Sequence, residues 1–175
     1  MEDLVRGITE ADWPRLAALE SEAYADLSLA EGEELLRSRA RASAGTCFVL
    51  DLDGRLAGYV LALPYPRFHC PDLARPEQAA HRTANLHLHD LVVSAPLRRR
   101  GLGTRLVGHL TEAARAGGFT TISLVAVAGK ERFWHANGYR AHRWTPVPAD
   151  YGGDAVYMSA QVPAVPRPHQ AREAV

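Results

Sequence analysis

The sequence predicts a mixed α/β (α+β) domain, in which helices flank a sheet holding both antiparallel and parallel neighbours. Two patterns carry this expectation. Apolar runs at 46–50 and 55–63 enclose Asp51-Leu52-Asp53-Gly54, whose Asp-Gly pair is a tight-turn signal, so the runs should pair as an antiparallel hairpin. Further on, apolar runs at 86–93 and 120–127 bracket an amphipathic stretch, and a strand–helix–strand order makes parallel neighbours.

Taken in order, residues 4–9 form a short strand candidate leading into Glu10-Ala11-Asp12-Trp13-Pro14, where a polar cap and an early proline announce a helix. Leu16, Leu19, Ala23 and Leu27 supply its apolar stripe. A second helix is expected over 31–42, buried through Leu35, Leu36 and Ala40. The acidic side chains Glu20, Glu22, Asp26, Glu31, Glu33 and Glu34 around Tyr24 read first as solvated helix faces and second as a surface suited to a cationic amine. After the hairpin, Pro64, Pro66, Pro71 and Pro76 punctuate an aperiodic stretch to about residue 81, a long loop that enters the central strand directly. It is placed either to shape a binding site or to mediate dimer contact. The helix that follows the central strand has Leu102, Leu106, Leu110 and Ala114 on one side and ends at Gly117-Gly118. Residues 130–137 give a short helix stopped by Gly138, Tyr139 opens the next strand, and 154–161 alternate as a last one. The domain is expected to span 1–162, with 163–175 a flexible Pro-rich tail.

A chain of 175 residues is the size of one domain and can bury a core. Hydrophobic residues at 47% and charged ones at 23% are ordinary for a globular protein. Twenty basic and twenty acidic residues cancel, so no global charge argues for nucleic acid or membrane partners. Cys47 and Cys70 lack metal-ligand spacing and read as buried thiols. Met1-Glu2-Asp3 does not open a signal segment and no apolar run is long enough to span a bilayer, which leads to the expectation of a cytoplasmic protein. A metal reading would take His69, Cys70, His81, His87 and His89, yet no second motif supplies ligands at recognised spacing, and no metal is expected.

The chemistry is concentrated where the central strand meets the helix after it. Arg98-Arg99-Arg100-Gly101-Leu102-Gly103-Thr104 puts cations and glycines at a first helical turn, where backbone N–H groups lack partners and a phosphate can approach the main chain. A P-loop would need Lys-Ser/Thr after its second glycine, and the dinucleotide fingerprint would need glycine where Leu106 stands. What remains, Asp90-Leu91-Val92-Val93, Pro96, then Arg98 to Gly103, resembles the GCN5-related N-acetyltransferase (GNAT) family. A second block, Phe133-Trp134-His135-Ala136-Asn137-Gly138-Tyr139, is similar to that family's Phe-Tyr-x-x-x-Gly-Phe/Tyr segment.

The resemblance implies a GNAT-like sheet, mostly antiparallel, whose parallel pair splays apart. It also implies acetyl transfer from acetyl-CoA to a primary amine of a small molecule or peptide, by direct attack in a ternary complex. By position, the main chain of Leu91, Val92 and Val93 would hold the pantetheine arm and thioester. Amides across Arg98, Arg99, Arg100, Gly101, Leu102, Gly103 and Thr104 would hold the pyrophosphate. His87 and His89 alternate on the strand and are the candidate general bases, while Asp90 falls on the opposite face unless a bulge intervenes and is ranked structural. At the usual general-acid position stands Trp134, whose indole cannot supply that proton, and Tyr139 or Tyr157 would be substitutes. Val127 replaces an asparagine that in many relatives contacts the cofactor. A homodimer is allowed for. The alternative to catalysis is an acyl-CoA-binding sensor, suggested by the absent motif tyrosine.

Overall fold

The computed structural model describes residues 3–164, so residues 165–175 of the expected tail lie outside them. Seven strands form one sheet: β1 (Asp3–Gly7), β2 (Phe48–Leu52), β3 (Arg55–Pro64), β4 (Asn85–Val93), β5 (Thr121–Ala126), β6 (Arg140–Ala141) and β7 (Val156–Gln161). Their order across the sheet is β1-β2-β3-β4-β5-β7-β6. Four α-helices accompany them, α1 (Trp13–Tyr24), α2 (Glu33–Ala42), α3 (Leu102–Ala116) and α4 (Glu131–Ala136). The β2–β3 hairpin turns at Asp53 and Gly54, both with positive φ, as a tight Asp-Gly turn requires. Every strand pair is antiparallel except β4–β5.

The faces of the sheet sort by side-chain alternation. Leu86, Leu88 and Val93 of β4 pack with Leu106, Val107, Leu110 and Ala114 of α3 and with Trp134 of α4. On the other face Val92, Tyr59 and Leu61 meet Trp13, Leu16 and Leu19 of α1 and Leu36 and Ala40 of α2. The stripes expected from sequence hold for these residues. Leu27 departs from its expected burial: it falls beyond the last turn of α1, in the connection to α2, and is 43% exposed. Cys47 is buried and Cys70 partly so, and burial pushes both thiols up, to about 12 and about 11. No helix among the described residues is long and apolar enough to cross a membrane.

Two irregularities in β4 prepare a site. Its parallel ladder with β5 ends at His87↔Ser123, although β4 continues to Val93 and β5 to Ala126, so the two strands part and leave an open edge. On the β3 side, Leu61 pairs with Asp90 and Ala62 with Leu88, which leaves His89 as an extra, bulged residue. A bulge resets the alternation. Asp90 therefore lies on the same face as Tyr59 and α1, not on the face opposite His89, correcting the expectation drawn from a regular strand.

Candidate active site

Between the parted strands lies a cleft of about 730 Å³, lined by residues 88–93 of β4, by Leu124, Val125, Val127 and Ala128, by the turn into α3, and by the α1–α2 connection. Ser94 N–H donates to Ala57 O at 2.8 Å. Because strand residues alternate edges, the main-chain groups of Val92 also face β3 and those of Leu91 and Val93 face the cleft. The Val93 carbonyl accepts from Arg98 Nε at 3.0 Å, which ties the arginine turn back onto the strand.

At that turn Arg99 and Gly101 adopt positive φ, 63° and 77°. Glycine tolerates this geometry, whereas a non-glycine there is strained, a pattern found at functional turns. The first bond of α3 runs from Arg105 N–H to Gly101 O at 3.0 Å, so the amides of Leu102, Gly103 and Thr104 precede the helical ladder. No acidic residue occupies that first turn and no side chain caps it. The combination suits an anion. Gly103 has a different reason to be glycine: a Cβ there would meet Phe133 Cζ at 3.2 Å and Leu91 Cδ2 at 3.8 Å, so the turn seats directly on α4 and β4. Arg98, Arg99, Gly101, Leu102, Gly103 and Thr104 all line the cleft, joined by Lys130, which sequence reading passed over; Arg100 is exposed and lies outside the lining.

The opposite end of β4's open stretch holds a buried polar cluster. His89 Nε2 contacts Glu31 Oε2 at hydrogen-bond range, and Glu31 Oε1 accepts from Arg39 Nη2 at 2.8 Å. Burial pushes the Glu31 carboxyl up, but His89 and then Arg39 outweigh it and hold Glu31 below the usual range. A carboxylate accepts only, so His89 Nε2 carries a proton and faces Glu31, which leaves Nδ1 as the nitrogen turned away from it. That Nδ1 is buried with no partner among the described residues. Asp90, buried beside it, accepts from Tyr24 Oη at 2.6 Å and from Tyr59 Oη; burial raises its pKa against both of those bonds. Glu20 accepts the N–H groups of Glu31 at 2.5 Å and Gly32 at 3.0 Å, and burial raises it as well.

The remaining candidates are placed differently. His87 is 1% exposed, bonds Ser123 Oγ through Nδ1 at 3.0 Å, and does not line the cleft. Burial, then the positive ends of His89 and Arg39, push it down to about 3, so it is a neutral ring at ordinary pH. Trp134 lines the cleft but is only 7% exposed, edge-on to Phe133 and Tyr139. Tyr139 lies outside the lining, with its hydroxyl buried, without a partner among the described residues, and raised in pKa by burial. Tyr157 Oη accepts from Phe68 N–H at 2.8 Å. The histidines and cysteine considered for a metal are not gathered: no group of three or more His, Cys, Asp or Glu is poised around an ion among the described residues.

Fold and cleft together define an α/β protein with an elongated cleft between parted strands that ends at an arginine- and glycine-rich helical turn. The chain belongs to the acetyltransferase (GNAT) family, whose profile matches residues 13–139. Among solved structures it is similar to the GphF GNAT-like decarboxylase in complex with isobutyryl-CoA (TM-score 0.74, 18% identity, covering 91% of this chain and 100% of that one). It is also similar to the PaiA N-acetyltransferase of Thermoplasma acidophilum in complex with coenzyme A (TM-score 0.68, 14% identity, 92% and 99%). A third likeness is to the ribosomal-protein-S18-alanine N-acetyltransferase of Escherichia coli (TM-score 0.64, 18% identity, 96% and 98%). Among curated proteins none matches the sequence significantly. At these identities the likenesses establish the fold.

Proposed function

We propose that the protein transfers an acetyl group from acetyl-CoA to a primary amine by direct attack within a ternary complex. The observation that carries this reading is the single cleft that joins an anion-binding turn, through an open strand edge, to a buried histidine with one free nitrogen. The amides of Leu102, Gly103 and Thr104, with Arg98 and Arg99, are suited to a pyrophosphate. The open groups of Leu91 and the Val93 N–H are suited to a pantetheine arm, and an N–H there would polarise a thioester carbonyl. Acetyl-CoA supplies the activated acyl group; the chain supplies orientation and proton management.

The attacking amine must lose its proton, and His89 is the residue we assign to that task. Glu31 holds its Nε2–H and fixes the tautomer, which turns Nδ1 to the task of accepting a proton, while Arg39 holds Glu31. His87 is assigned a packing role. No side chain of the cleft is well suited to deliver a proton to a leaving thiolate: Trp134 has only an indole N–H, and Tyr24 and Tyr151 already donate to Asp90 and to Pro71 O. Solvent fills that part. Decarboxylation, the chemistry named for GphF, would bring an acyl carboxylate beside Glu20, Glu31 and Asp90, which disfavours it here. The missing motif tyrosine supports a second reading, an acyl-CoA sensor without turnover. Release of free CoA thiol under saturating acetyl-CoA and a broad amine panel tests the two: amine-dependent release supports transfer, and tight binding without release supports the sensor.

A further inference from the structure

We propose that the acceptor is a small monoamine, a single ammonium-bearing carbon chain on an aliphatic or aromatic body, and neither a polyamine nor an amino acid. The inference rests on the acetyl-transfer reading and concerns the end of the cleft remote from the arginine turn. That end is bounded by Leu27 and Leu29 from the α1–α2 connection, Leu73 from the long loop, and Tyr151. Leu27 is 43% exposed, an apolar side chain on the rim with water around it. Burial of such side chains against an apolar ligand is favourable by about 25 cal/mol per Å².

Beneath this rim the carboxylates are numerous but already engaged. Glu20 is held by the amides of residues 31 and 32, Glu31 by Arg39 and His89, and Asp90 by Tyr24 and Tyr59. Their summed field attracts one ammonium group to the neighbourhood of His89. A polyamine or an aminoglycoside would also need carboxylates free to pair with its further charges, and this floor offers none. An α-carboxylate on the acceptor meets the opposite problem. Among the described residues no arginine lines this end: Arg39, behind Glu31, is 1% exposed and spends its Nη atoms on Glu31, Glu77 and Asp72 O, while Arg98, Arg99 and Lys130 belong to the phosphate end. An anion placed here would face acids without a counter-charge.

The test uses the full chain at saturating acetyl-CoA, with kcat/KM measured by CoA thiol release for 2-phenylethylamine, hexylamine, L-phenylalanine and spermidine. L-Phenylalanine has the same body as 2-phenylethylamine plus a carboxylate, so the pair isolates that group. The expected result is 2-phenylethylamine and hexylamine at least about tenfold ahead of the other two, with Leu27→Ser and Leu73→Ser each raising KM for the favoured amines by about threefold to tenfold and leaving acetyl-CoA affinity unchanged. Spermidine or L-phenylalanine in front would overturn the acceptor class and leave acetyl transfer standing. Bound acetyl-CoA with no thiol release from any of the four would overturn acetyl transfer, and the acceptor class with it.

Discussion

His89 and His87 stand close on one strand, with ring centroids 6.4 Å apart, yet their surroundings give them different work. Turnover separates them. His89→Gln should lower kcat by about a hundredfold, the usual scale for a lost general base, while sparing acetyl-CoA affinity. Glu31→Gln should do the same to a smaller degree, about tenfold, because it loosens the tautomer and not the base itself. His87→Gln should leave kcat unchanged. Its effect belongs to stability: the folded ring titrates at about 3, well below an unfolded histidine, so the unfolded chain binds a proton that the native one does not. Stability therefore falls as pH drops from about 6.5 toward 3, by up to about 1.4 kcal/mol per pH unit from this residue. Urea unfolding at pH 7 and pH 5 should show a smaller loss in His87→Gln than in the unsubstituted chain; an equal loss contradicts a neutral buried ring. Alternation in the sequence put both histidines on one face, which the structure bears out. It had no means of revealing that a bulge at 89 would bring Asp90 round to join them, since no residue type marks a β-bulge without its partner strand.

At the scale of elements, the turn from β4 into α3 was legible because it is local: strand, proline, arginines and glycines are consecutive, and each acts through its own backbone or charge. Arg98→Ala with Arg99→Ala should weaken acetyl-CoA binding by about tenfold to a hundredfold and reduce its salt dependence, with little loss of stability because both are exposed. Gly103→Val should abolish binding too, but through displacement of Phe133 as much as through blocking a phosphate, so its melting temperature should fall as well. The stitching of the long loop was not legible. Arg39 lies on α2 among helix-forming residues and looks solvated in sequence, yet it is buried and joins Glu31 to Glu77 and to Asp72 O. Such pairings join positions far apart in the chain. Arg39→Met should cost about 3–5 kcal/mol, because it strands two buried carboxylates, and should lower kcat by freeing Glu31; thermal unfolding and steady-state rates measure both.

For the molecule as a whole, the expected sheet emerges with its hairpin, its parallel pair and its helices on both faces, because each hydrophobic period matched one element. The strand order at the far edge, with β7 between β5 and β6, was not readable, since short strands separated by loops carry no signal of which neighbour they take. Function follows from where the sheet fails to close. Beyond His87 this edge of β4 has no partner strand, and such an edge suits a ligand that supplies the missing hydrogen bonds. The proposed function makes this opening an acyl-CoA site. Calorimetric titration of the full chain with acetyl-CoA, against ATP as comparator, tests it most directly. Under the proposed function acetyl-CoA binds in the micromolar range, ATP binds little or not at all, and the Arg98→Ala, Arg99→Ala variant loses at least about tenfold in affinity. No binding of acetyl-CoA, or equal binding by that variant, would contradict it.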